Sequence, residues 1–136
     1  MLYFPYDWRL SLQKKGKEFA DFMDEVLNSA RANNRPVRIL AHSMGGLLVR
    51  MAAVLSSSKR EGNGWWERFR AITGNRLVMA GTPNNGSWTV PYLLTGRDSI
   101  IGVLKTVDLR HNRRDILKTV SGFEGFLEML PPGGAD

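Results

Sequence analysis

The chain has 136 residues, 43% hydrophobic and 24% charged, which suits one domain with a sizeable core and excludes disordered and fibrous classes. Lys and Arg number 19 and Asp and Glu 13, a net charge of +6. The charges do not gather into a long run, so they read as a solvated basic face and no nucleic-acid partner is expected. Without cysteine there are no disulfides or thiolate metal sites, and two histidines, His42 and His111, are too few for a multi-histidine metal centre. No cofactor is expected.

The opening MLYFPYDWRL lacks a basic region followed by an apolar one, so it does not read as a signal peptide. No run reaches the roughly 18 apolar residues of a membrane span. A soluble chain follows, with a cytoplasmic location favoured although no residue fixes it. Leu2–Phe4 are apolar and read as the tail of a strand ended by Pro5. Gln13–Asn33 read as an amphipathic helix, with Phe19, Phe22, Met23, Val26, Leu27 and Ala30 at helical spacing. A turn at Ala32–Pro36 leads to Val37–Ala41, a short β-branched run that fits a buried strand.

Met44 to about Ser57 reads as a helix apolar nearly all round, hence central in its domain. A polar loop follows, then a short helix over Trp65–Ala71 and a second buried strand over Arg76–Ala80. Gly81–Gly86 closes that strand. Asp115–Val120 and Phe123–Leu130 read as short amphipathic helices. Alternation of helix and strand predicts an α/β chain with parallel strands. Trp8, Trp65, Trp66 and Trp88 are expected to pack in the core.

The informative segment is Ala41-His42-Ser43-Met44-Gly45-Gly46, a small-x-Ser-x-Gly pattern between a strand and a helix. A serine on such a sharp turn presents its hydroxyl clear of the backbone, in a strained conformation. Residues two before and two after it must be small, as Ala41 and Gly45 are. Gly46 lets the helix pack near its neighbours. The Met44 N–H lies at the helix N-terminus, where it can donate to a developing oxyanion. His42 is adjacent in sequence, yet side chains on a tight turn point apart, so it reads as structural packing beside the centre.

Phe4-Pro5-Tyr6-Asp7-Trp8-Arg9, the Ala41–Gly46 segment and Gly81-Thr82-Pro83-Asn84-Asn85-Gly86-Ser87, in this order, resemble the lecithin:cholesterol acyltransferase-like branch of the α/β-hydrolases. The alanine at the first small position is also similar to small bacterial lipases. The resemblance implies a partial α/β-hydrolase core with parallel strands and a nucleophile elbow. It implies Ser43 as the acyl-forming nucleophile, Met44 as one oxyanion donor and Thr82–Ser87 as a loop lining the site. Residues 1–90 would form the core segment and 91–136 a cap-like helical segment. The implied chemistry is ester attack, then transfer of the acyl group to water or another alcohol, as in a lipase, esterase or acyltransferase acting on lipid.

The family pattern also places an acid and a base after later strands, which this chain lacks. His111 is the one histidine after Ser43, and it reads as a polar loop residue; Asp98 and Asp108 follow no convincing strand. In the family's sheet, a strand lies between the one ending near Pro5 and the one at Val37–Ala41. Its absence predicts a gap whose backbone groups need a partner. The expectation is a fragment, inactive alone, with self-association or a missing segment completing the sheet. A non-catalytic binding or scaffolding module is the alternative.

Overall fold

The structure is a computed structural model and describes residues 1–57, 64–96 and 112–133. Eight elements run in the order α1 (Leu12–Ala32), β1 (Arg38–His42), α2 (Met44–Ser57), α3 (Trp65–Ala71), β2 (Arg76–Ala80), α4 (Thr89–Leu94), α5 (Arg113–Val120) and α6 (Glu124–Leu127). The chain is α/β, with β1 and β2 parallel and Arg38 opposite Arg76 through His42 opposite Ala80. It divides into two units, Met1–Asp7 with Leu12–Asn84, and Trp8–Ser11 with Asn85–Asp136.

In the first unit, α1 buries Leu12, Gly16, Phe19, Ala20, Met23 and Leu27. These fall on one stripe at three- and four-residue spacing, while Lys14, Lys17, Glu18 and Asp21 stay exposed. The helix ends in a Schellman turn: Arg35 N–H donates to Ala30 C=O at 2.9 Å and Asn34 N–H to Arg31 C=O at 3.2 Å. Asn34 takes the left-handed conformation that this turn needs, with φ 49°. α1 packs on α2 closely at Gly16, where a Cβ would lie 3.1 Å from Met51 Cγ and 3.3 Å from Ala52 N.

α2 is central, as its composition predicts, burying Met44, Gly46, Leu48, Val49, Ala52, Ala53 and Ser56. Each of its larger apolar side chains contributes roughly 1.5–3 kcal/mol on burial. α3 seals it with Trp65, which is 1% exposed and donates its indole N–H to Ala52 C=O at 3.1 Å. Trp66 stacks on Phe69 at 5.6 Å. Arg68 joins α3 to Asp24 of α1.

Asn75, buried, ties two segments that the sequence leaves separate. Its Nδ2 donates to Phe69 C=O at 2.8 Å, and its Oδ1 accepts from Val37 N–H at 2.6 Å. The ends of α3 and the start of β1 are thereby held beside the start of β2.

The second unit centres on Val90, Leu93 and Phe126, packed with Leu94, Ile116, Leu117, Val120, Phe123 and Met129. Asn112 and Asp115 form a capping box on α5. Trp8 meets Phe123 edge-on at 5.5 Å, and Gly125 N–H donates to Arg9 C=O.

Four expectations change. β1 and β2 form where expected but are not buried strands: β1 buries only Ala41 and β2 no residue, with Leu40 78% and Val78 54% exposed, because among the described residues the sheet has two strands and its outer face is uncovered. Leu2–Phe4 belong to no strand, because their main-chain groups find no partner among the described residues. α4 was not evident in the sequence because Pro91 breaks the pattern. Proline is tolerated there, since it is the third residue of the helix and its missing N–H would be one of the unbonded first-turn donors. Trp8 and Trp88 are 47% and 71% exposed, so core packing holds for Trp65 and, in part, Trp66 only.

Candidate active site

β1 ends at His42 and α2 begins at Met44, so Ser43 alone makes the turn. Its φ is 52°, in the left-handed region. For a residue with a Cβ this conformation costs roughly 1–2 kcal/mol. The turn is held by the main chain: Ser43 N–H donates to Ala80 C=O at 2.8 Å, and Ser43 C=O accepts from Gly46 N–H at 3.1 Å. The side chain is not needed for either bond. Among the described residues no hydrogen bond engages Ser43 Oγ, and Ser43 is half-buried.

The first two amides of α2, those of Met44 and Gly45, have no acceptor among the described residues. They carry the positive end of the helix dipole and stand next to Ser43. The Met44 side chain is buried, so the residue presents only its main chain.

The small residues around Ser43 do different work from each other. A Cβ added at Gly45 would lie 3.9 Å from Ala41 Cβ, an ordinary contact, so this position is looser than the sequence pattern implies. Gly46 is the tight one. A Cβ there would fall 2.0 Å from Thr82 Oγ1 and 2.8 Å from Thr82 Cβ. Thr82, in the loop after β2, therefore lies against the first turn of α2. Its hydroxyl is buried and has no hydrogen-bond partner among the described residues.

A second tie holds the same loop. Arg50 Nη1 donates to Asn84 Oδ1 at 2.7 Å. In sequence Arg50 is one of the basic residues around the turn, and it is the lone charged residue in the Met44–Ser57 helix. A guanidinium kept in an otherwise apolar helix has a polar partner to reach.

His42 is exposed and makes no hydrogen bond to Ser43 among the described residues. His42 is therefore not packed beside the turn as expected. His111, Asp98 and Asp108 lie outside the described residues. Among the described residues no cluster of three or more His, Asp or Glu is placed to hold a metal, and no helix is long and apolar enough to cross a membrane.

The sequence pattern of the lecithin:cholesterol acyltransferase family matches residues 1–136. The chain belongs to this family. It is 30% identical to the protein SERAC1 of Mus musculus over 125 residues, which is 90% of this chain and 18% of that protein. The same identity and coverage hold for SERAC1 of Homo sapiens. A 45-residue stretch is 44% identical to an uncharacterized protein of Saccharomyces cerevisiae, covering 33% of this chain and 7% of that one. The chain thus spans under a fifth of the length of the curated relatives it matches. No solved structure matches it. At the level of the family, acyltransferase and lipase-type activity on lipid is the activity in view.

Proposed function

We propose that this chain carries the nucleophile of a serine-dependent lipase, esterase or acyltransferase, with Ser43 as nucleophile on a strand-to-helix elbow and the Met44 N–H as an oxyanion donor. The observation that supports it most is the left-handed Ser43, its hydroxyl unengaged, beside the unbonded Met44 amide. Strain kept at a position that glycine would occupy more easily is the pattern of a functional site.

The chemistry follows from that arrangement. Ser43 Oγ attacks the carbonyl carbon of an ester while its proton passes to a base. The carbonyl oxygen becomes an oxyanion facing the Met44 N–H. The alkoxide leaving group departs with a proton and leaves an acyl-serine. Water or a second alcohol then attacks the acyl carbon, giving an acid or a new ester and restoring the hydroxyl. His42 is not the base. Among the described residues no acid or base is hydrogen-bonded to Ser43, and this reading expects both to come from later strands of a longer protein, with this chain inactive as a fragment.

Fluorophosphonate labelling read by intact mass tests the reading. One adduct per chain, absent in Ser43→Ala, supports the activated serine. Labelling that persists in Ser43→Ala overturns it. The lack of a base within reach of Ser43 among the described residues favours a second reading, a non-catalytic lipid-binding or scaffolding module. It predicts no adduct in the wild type and ligand binding indifferent to Ser43→Ala.

A further inference from the structure

The turn at Ser43 and the loop after β2 meet at three successive points. Ser43 N–H donates to Ala80 C=O at 2.8 Å. The Thr82 side chain fills the space that a side chain at Gly46 would need. Arg50 Nη1 donates to Asn84 Oδ1 at 2.7 Å. Steps of three and then four, from 43 to 46 to 50, keep to one face of α2 and cover roughly 10 Å of its axis. The loop advances two residues for each of these steps, from 80 to 82 to 84, so it runs along α2 away from the turn.

The three points do different things. The middle one has shape but no direction, since the Thr82 hydroxyl is buried and bonds to nothing among the described residues. The first is directional, but its acceptor belongs to the planar peptide that joins Ala80 to Gly81. Gly81 has φ 59°, and among the described residues nothing lies within 4 Å of where its Cβ would be, so packing does not hold the chain there. Where the Ala80 carbonyl points therefore depends on what holds the loop beyond Gly81. Asn84 N–H donates to Thr82 C=O at 2.9 Å, which makes these two residues one piece. Arg50 grips that piece with a charge-assisted bond to a neutral amide. It is the lone charged residue of α2 and has no carboxylate partner among the described residues.

We propose that Arg50 is a positioning residue for Ser43. By holding Asn84 it keeps Thr82 against Gly46 and sets the Ala80–Gly81 peptide, whose carbonyl fixes the Ser43 amide. The Met44 N–H follows Ser43 directly in the chain, so the same latch aims the oxyanion donor. Its consequence for catalysis rests on the proposed role of Ser43; the latch itself does not. An arginine that served only to hydrate an apolar helix would act through its charge alone, and its effect would not depend on Asn84. A latch needs both partners.

The test uses the full chain and reads amide hydrogen exchange and amide resonances residue by residue. Arg50→Met keeps an apolar stem and good helix propensity but removes the donor. Asn84→Ala removes the acceptor. In each variant the Ser43 amide exchanges about ten-fold faster or more, while the Ala52 and Leu27 amides stay within about two-fold of wild type. The Ser43 and Met44 amide resonances shift with it. The double variant is no faster than either single one, because both break the same bond. Arg50→Lys, which keeps a donor for Asn84 Oδ1, restores slow exchange. In a wild type that takes the fluorophosphonate adduct, Arg50→Met labels about ten-fold more slowly at an unchanged urea midpoint, and Arg50→Lys recovers the rate. Ser43 exchange within about two-fold of wild type in both single variants overturns the proposal. So does equal acceleration at Ala52, which would make Arg50 a general support of α2, or a double variant whose effect is the product of the two singles. A wild type that forms no adduct argues for the non-catalytic reading, while exchange still decides Arg50, so the two failures are told apart.

Discussion

The Thr82 side chain, in the loop after β2, fills the space that a side chain at Gly46 of α2 would need: a Cβ there would overlap Thr82 Oγ1 at 2.0 Å. Gly46→Ala is therefore expected to lower stability by about 1–3 kcal/mol, an overpacking cost, although alanine is otherwise the better helix former. Thr82→Gly removes the overlapping atoms. In the double variant most of the Gly46→Ala loss should disappear, giving a coupling of about 1 kcal/mol or more in a denaturant-unfolding cycle. Additive losses would show that the two residues do not meet.

Ser43 supplies the next prediction. Ser43→Ala keeps a Cβ in the left-handed region and should leave stability nearly unchanged. Ser43→Gly should stabilise by about 1 kcal/mol, because glycine adopts φ near 52° without the Cβ clash. Both variants lose the fluorophosphonate adduct if Ser43 is the nucleophile. Thermal or urea unfolding measures the first effect and intact mass the second. A Ser43→Gly variant no more stable than Ser43→Ala would refute strain at the turn.

Asn75 is a third handle. Asn75→Ala strips the acceptor from Val37 N–H and the donor from Phe69 C=O. The loss should be about 2 kcal/mol or more, since the side chain is buried and its partners are left unmet. Urea midpoints of wild type and variant check it; equal midpoints would mean that water replaces the amide.

Tyr6, which lines a groove beside β1, gives a pH dependence. Burial raises its phenol above the usual tyrosine value of 10.0. The neutral form is the one the fold prefers. The stabilisation is thus complete below pH 10 and is lost as pH rises through the folded-state value, because the unfolded chain releases the proton first. Tyr6→Phe should remove this part of the alkaline loss. The check is the difference in unfolding free energy between wild type and Tyr6→Phe from pH 8 to 11, which should be flat below about pH 10 and fall above it; a flat difference throughout would show that Tyr6 is not the group.

The first unit was largely legible because its signals are local. Phe19, Met23 and Leu27 repeat at helical spacing, and Ile39 and Val78 sit in short apolar runs, so α1, α2, α3, β1 and β2 fall within a residue or so of where the sequence puts them. Ser43 was legible as a turn because small residues flank it. The contacts that brace the turn were not. The Thr82–Gly46 contact joins residues 36 positions apart and the Arg50–Asn84 bond joins residues 34 apart, and neither leaves a periodic trace. In the second unit α4 was hidden by its proline, and the start of α5 was placed two residues late, although Asn112 with Asp115 three positions on is the pattern of the capping box that starts it.

The bond from Ser43 N–H to Ala80 C=O is made by the main chain, so every residue type except proline can form it. Glycine or asparagine would form it with less strain. In a lineage where the hydroxyl had ceased to matter, mutation and selection for stability would push in the same direction, away from serine. The turn would survive that drift unharmed, and its history would be recorded in a single side chain.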